Sequence, residues 1–101
     1  MKILTTMLVA IMTVAASAAH ARDVDDAEAL ELQSAGTIQT AQTLQQAALA
    51  THPGATITDT ELENEYGKYI YQVELRDVKG LDWDLEIDAV TGQVYKNHQD
   101  N

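Results

Sequence analysis

The spacing of apolar residues changes once along this chain, at His52-Pro53-Gly54, and that change constrains the fold more than any other feature. Before it, Ile38, Ala41, Leu44, Ala48 and Leu49 recur at helical spacing, with Gln39, Gln42, Thr43 and Gln46 on the opposite face. Thr37 is the expected N-cap. Pro53 disfavours a helical conformation in the residue before it, and Gly54 turns the chain, so the helix must stop there. After it the period is two. "ATITDTELE" (55–63) is rich in β-branched residues and reads as a strand. Asn64 to Lys68 read as a turn around Gly67. Tyr69, Tyr71, Val73 and Leu75 then alternate with Ile70, Gln72, Glu74 and Arg76. After a turn at Asp77 to Gly80, Trp83, Leu85 and Ile87 alternate with Asp82, Asp84, Glu86 and Asp88. A turn at Asp88 to Gly92 leads to a short strand at Val94 and Tyr95.

One helix and four strands joined by short turns predict an α+β fold: the helix packs on one face of a small four-stranded antiparallel sheet. The inward set is Ile38, Leu44 and Leu49 from the helix, and Ile57, Leu62, Tyr69, Tyr71, Val73, Leu75, Trp83, Leu85, Ile87 and Val94 from the strands. A short helix is expected at 26–35, capped by Asp25 or Asp26 and stopped by Gly36. The chain thus divides into an acidic N-terminal segment (22–36), a domain (37–96) and a polar, frayed tail (97–101).

Residues 1–21 carry a different signal. Lys2 precedes an apolar stretch, and small residues end in Ala19-His20-Ala21. These are the parts of a secretory signal peptide, with cleavage expected after Ala21. The alternative is an uncleaved anchor, but the stretch is short of the roughly 20 residues a membrane span needs. The reading is export to a bacterial periplasm or beyond, with no membrane association after cleavage. The chain has no cysteine, so a domain this small must rely on packing or on a partner. From residue 22 on, five Lys and Arg stand against sixteen Asp and Glu, a net charge of −11. Such a surface repels nucleic acid and anionic lipid. It suits a basic protein partner, loosely held cations or plain solubility.

Asp82, Asp84, Glu86 and Asp88 invite a metal reading. An EF-hand loop starting at Asp82 would need glycine at its sixth position and glutamate at its twelfth, where Ile87 and Gln93 stand. On a strand, same-face neighbours are about 6.5 to 7 Å apart, too far to cage one ion. A solvated acidic face is the favoured reading, with weak calcium or magnesium binding by Asp82, Asp84 and Glu86 as the alternative. Asp88 is separate, because with Thr91 and Gly92 it forms a turn: its carboxylate can accept turn N–H groups and Gly92 can take the left-handed conformation. No nucleophile–base pair is visible. Ser34, His52 and His98 lack triad-like neighbours, and no HExxH, P-loop or GxSxG occurs. An enzyme is not expected, and no cofactor.

The order of these features resembles the PepSY family of peptidase propeptides and a spore-germination protein. "ALATHPG", "ELE" (61–63), "YIYQVEL" (69–75) and above all "WDLEIDAVTGQVYK" (83–96) carry the resemblance. One departure is Gln72, where many relatives carry an acid. The resemblance implies an exported α+β module without catalytic residues, one that assists folding of, or inhibits, a protease when it is a propeptide. The expected function is protein binding, as a peptidase inhibitor or as an accessory to the exterior domain of a signalling protein. Candidate contacts are Glu61, Glu63, Tyr66, Asp82, Asp84 and Glu86. The sequence leaves the oligomeric state open.

Overall fold

A computed structural model describes residues 21–100. The expected signal segment lies outside the described residues. The elements are β1 (Arg22–Asp23), α1 (Asp26–Ser34), α2 (Ala41–Thr51), β2 (Thr56–Glu65), β3 (Lys68–Arg76), β4 (Asp82–Asp88) and β5 (Val94–Asp100). The five strands form one antiparallel sheet in the order β1-β2-β3-β4-β5. The fold is α+β, with α2 crossing β2, β3 and β4. No helix among the described residues is long and apolar enough to cross a membrane.

The sheet has five strands where the sequence predicts four. β1 precedes the helices and pairs with the far end of β2, Arg22 opposite Asn64 and Asp23 opposite Glu63. Two residues of pairing carry no periodicity, so nothing in the sequence marks them. Val24 completes the attachment. Its N–H donates to the Leu62 carbonyl at 2.8 Å and its side chain enters the core. Asp25 then caps α1, its carboxylate accepting the Glu28 N–H at 2.8 Å. This short helix fully buries none of its residues. It is held at its start by β1 and by the Arg22–Glu28 ion pair.

α2 begins later than the helical spacing suggests. Thr40 is the cap, accepting the Thr43 N–H, and residues 35–40 form a connector. Thr37 and Ile38 donate back to the Leu32 carbonyl, and Gln39 donates to the Ala89 carbonyl at 2.8 Å. Ile38 is still buried, but from the connector rather than the helix. At the other end β5 pairs with β4 from Ile87↔Val94 to Asp82↔Asp100, with a register shift that skips Tyr95. The sequence suggests a frayed tail there because an exposed edge strand of polar residues shows no alternation.

Leu44 and Ala48 of α2 pack over Leu62, Tyr71, Val73, Leu75, Leu85 and Ile87, all buried. Burying such side chains contributes about 1.5 to 3 kcal/mol each, which offsets the conformational entropy of a small domain. Leu49, Ile57, Tyr69, Trp83 and Val94, expected inside, are only half-buried because they lie toward the rim. Ala89 is fully buried beneath the β4–β5 turn, beyond the reach of strand alternation. Ile70 is also buried, although its parity places it on the face away from the helices.

Candidate functional site: the open face of the sheet

The β3 register decides what the open face presents. Glu74 lies opposite Asp59 on β2 and Asp84 on β4, and Asp84 lies opposite His98 on β5. In the next row Glu61, Gln72, Glu86 and Lys96 stand side by side. Glu63 follows, beside Asp23 of β1. Between them lies a shallow groove of about 190 Å³, lined by Asp59, Glu61, Gln72, Glu74, Asp84, Glu86 and Lys96. Period-two folding makes this face: every second residue of three adjacent strands is turned outward, and most of those residues are acids.

Two acids of the candidate set are already paired. Asp82 accepts the Arg76 guanidinium Nε at 2.9 Å, and Glu86 meets Lys96 Nζ at 3.2 Å. Among the described residues no cation pairs with Asp59, Glu61, Glu63, Glu74 or Asp84. Their electrostatics reflect this. Glu61 titrates above the usual range, chiefly because the Asp23 charge lies beside it. Glu63 is raised mainly by burial, with Glu65, Asp23 and Glu86 adding to it. Glu74 is raised by burial and then by Asp84, Asp59 and Asp100. Like charges opposite one another across a sheet repel, so the face stores electrostatic strain that a cationic surface would relieve. It does not make a metal cage: among the described residues no three acidic or imidazole groups converge as an ion would need.

Tyr66 sits at the tip of the β2–β3 hairpin, 73% exposed. It and Gly67 have φ of 54° and 89°. They form a two-residue loop between the paired Glu65 and Lys68, the geometry of a type I′ turn. Tyrosine in that conformation is strained, since its Cβ crowds the carbonyl. On the open face nearby, Lys68 Nζ lies 4.7 Å from the centre of the Tyr95 ring, and burial pushes the Tyr95 hydroxyl up to about 12.

Asp88, Thr91 and Gly92 lie in the β4–β5 turn rather than on the open groove. The Asp88 carboxylate accepts the Val90 and Thr91 N–H groups at 2.9 and 3.3 Å, and its carbonyl accepts the Gly92 N–H at 2.7 Å. Thr91 Oγ1 accepts the Gln93 N–H. Gly92 has φ of 80° and faces Gln39, whose amide donates to the Val90 carbonyl.

The expected turn at Asp77 to Gly80 is present, but the sequence reading did not foresee what anchors it. Asp77 accepts the Lys79 and Leu81 N–H groups and the Trp83 indole N–H, and these bonds hold its carboxyl below the usual range. The indole also stacks on His52 at 4.3 Å, and His52 Nε2 lies 2.8 Å from Asn97 Oδ1. The signal was present: Asp77-Val78-Lys79-Gly80 is an acid followed by a turn glycine, as Asp88 to Gly92 is.

Comparison with known proteins agrees with this architecture. The family model described as peptidase propeptide and YPEB domain, PepSY, matches residues 38–97. An uncharacterized protein, YkoJ of Bacillus subtilis, is 33% identical over 48 residues, which are 48% of this chain and 28% of that relative. The shared stretch is therefore well under two thirds of the relative's length. No solved structure matches. With a family match running from Ile38 to Asn97, through α2, β2, β3, β4 and the first part of β5, the chain belongs to the PepSY family.

Proposed function

We propose that this chain is an exported, non-catalytic binding module that holds another protein against the open, acidic face of its sheet. PepSY modules occur in peptidase propeptides and are generally non-catalytic and extracellular or periplasmic, which supports this class of role. The observation that carries the reading is the set of carboxylates without a cationic partner, Glu61, Glu63, Glu74 and Asp84, whose mutual repulsion a basic partner would relieve. Tyr66 adds a large exposed aromatic at the hairpin tip, held in a strained conformation, and such strain is commonly retained where a residue contacts a partner. β2 supplies a backbone edge beyond its two-residue pairing with β1, along which a partner strand could add. The partner is a peptidase held in check or the exterior domain of a signalling protein.

Because Asp82 and Glu86 already hold Arg76 and Lys96, the decisive residues are their neighbours that hold no cation. Pull-down from periplasmic extract with the wild-type chain and with Glu61→Gln/Glu74→Gln/Asp84→Asn tests the reading. The expected result is capture of a basic protein by the wild type alone. Equal recovery with the triple variant removes the acidic face from the interaction.

A further inference from the structure

β1 leaves the sheet before it has covered the edge of β2. Its last bond to that strand runs from the Val24 N–H to the Leu62 carbonyl, after which Asp25 caps α1 and the chain turns away. Leu62 therefore turns its backbone groups to the edge, and by strand alternation so does Thr60, two residues before it. No strand among the described residues pairs with Thr60 on that side. Thr60 also shares the core-side parity of Leu62, yet it is exposed where Leu62 is buried. The residue that would face Thr60 in a longer β1 is Asp26, which has already entered α1. In its place is a cavity of about 320 Å³ between α1, α2 and β2. Buried Ile38, Leu44 and Leu62 form its floor, and exposed Asp23, Asp26 and Glu61 stand at its rim. We propose that an extended segment of another polypeptide continues β1 along this edge and places a lysine or arginine side chain in the cavity.

Charge selects the occupant. Arg22 is the only Lys or Arg between residues 22 and 67, and Glu28 holds it through two hydrogen bonds of 2.9 and 3.0 Å. Among the described residues no cation pairs with Asp23, Asp26 or Glu61. Glu61 feels this directly, since Asp23 beside it raises its proton affinity. A plain alkyl side chain would cover the floor but leave these carboxylates facing one another. A lysine or arginine covers the floor with its stem and brings its charge to the rim. The edge itself is short. The bulge at Thr58 ends the regular ladder, so only Asp59 to Glu61 can template a strand, with one donor and one acceptor from Thr60. Backbone pairing sets the direction and register of the segment, and the side chain in the cavity supplies the selectivity. The inference rests on the reading that this chain holds another protein, but the contact is a different one. The cavity lies on the helical side of the sheet, whereas Glu74 and Asp84 line the groove on the open side.

The full chain, recovered as its host processes it, is titrated with a blocked pentapeptide, Thr-Val-Lys-Val-Thr, and with versions carrying norleucine or glutamate in place of lysine. Backbone amide shifts in NMR spectra locate the site and give the affinity. The lysine peptide is expected to shift Thr60, Asp26 and Ala41 at millimolar concentration. The norleucine peptide binds about tenfold more weakly, and the glutamate peptide does not bind. Asp26→Asn weakens the lysine peptide about fivefold and leaves the norleucine peptide unchanged, which a misfolded groove would not do. Ala41→Leu narrows the cavity and excludes both peptides while the urea midpoint stays near that of the wild type. Glu74→Gln/Asp84→Asn, on the open face, leaves the affinity of the lysine peptide as it was. No binding, norleucine binding as tightly as lysine, or an equal loss with the open-face variant overturns the inference and leaves the open-face reading standing. A failed pull-down from extract with intact peptide binding removes only the open-face reading.

Discussion

The Trp83 indole N–H donates to Asp77 Oδ2 at 2.9 Å, so one carboxylate ties the β3–β4 turn to the first core-side residue of β4. The other oxygen of the same group accepts the Lys79 and Leu81 N–H groups at 2.8 and 2.9 Å. Asp77→Ala removes the acceptor of all three bonds and is expected to lower the thermal midpoint and shift Trp83 emission to longer wavelength. Asp77→Asn can keep the two backbone bonds but turns an amide N–H toward the indole N–H, so its midpoint falls between the two. Thermal melts and tryptophan fluorescence check both. Identical melts for Asp77→Ala and wild type would remove this turn as a stabilising element.

Acid has opposite effects on the two groups of carboxylates. Glu61, Glu63 and Glu74 titrate above the usual range in the folded chain, so folding raises their proton affinity. For such groups stability is gained as pH falls through the folded value and lost as it rises. Asp77 and Glu28 are held low, by the Trp83 indole and by the Arg22 guanidinium, so their contribution is present above the ordinary carboxylate range and lost as pH falls through their own lowered values. The thermal midpoint should therefore rise as pH falls from neutral toward the ordinary carboxylate range and fall again as pH drops below it. A midpoint that falls steadily from neutral pH contradicts this.

Charge reversal in the middle of the open face should stabilise the fold. Glu74 stands between Asp59 and Asp84. Glu74→Gln removes two unfavourable cross-strand pairs, for a gain of about 0.3 kcal/mol. Glu74→Lys makes both favourable, for about 1 kcal/mol. Urea unfolding reads this as a higher midpoint at unchanged slope, and the gain shrinks as salt screens the pairs. If the proposed partner docks on this face, Glu74→Lys is also the variant that it rejects, so stability and binding move in opposite directions.

Gly92 and Gly67 separate backbone strain from crowding. Both have positive φ, 80° and 89°. A Cβ at Gly67 meets nothing within 4 Å, whereas one at Gly92 comes to 2.8 Å from the Gln39 side-chain oxygen. Gly67→Ala should cost about 1 kcal/mol from conformation alone. Gly92→Ala should cost more, because Gln39 must move and surrender its bond to the Val90 carbonyl. In a Gln39→Ala background the extra cost disappears. A double-mutant cycle measured by urea unfolding gives the coupling, and strict additivity would exclude the crowding.

The strand parity of this domain is legible because one face is buried: Val73, Leu75, Leu85 and Ile87 alternate with charges and could occupy no other face. Where burial imposes no period, the sequence is silent. β1 is two residues long, and β5 beyond Tyr95 is wet on both faces, so neither leaves a pattern. Ile70 belongs to the wet parity yet is buried, which only the assembled sheet reveals. The acids of the candidate site are visible as types, but the pairing that silences Asp82 and Glu86 depends on register with Arg76 and Lys96. Glu74 drew no notice as a site residue because its importance comes from residues 15 positions before and 10 after it.

Tyr66 joins strain and exposure in one residue, and so gives a test that sets stability against function. A type I′ turn wants asparagine or glycine at its first position, and the second is already Gly67. Tyr66→Asn relieves the positive-φ strain at a side chain that is 73% exposed and has little packing to lose. It should raise stability by about 0.5 to 1 kcal/mol, read from the urea midpoint. Tyr66→Gly should do less, because glycine adds freedom to the unfolded chain. If the tyrosine is kept for the proposed partner, the more stable Tyr66→Asn variant recovers less of that partner from periplasmic extract, while Tyr66→Phe, which keeps the ring, recovers most of it. Undiminished recovery with Tyr66→Asn would leave the strain without a role in binding.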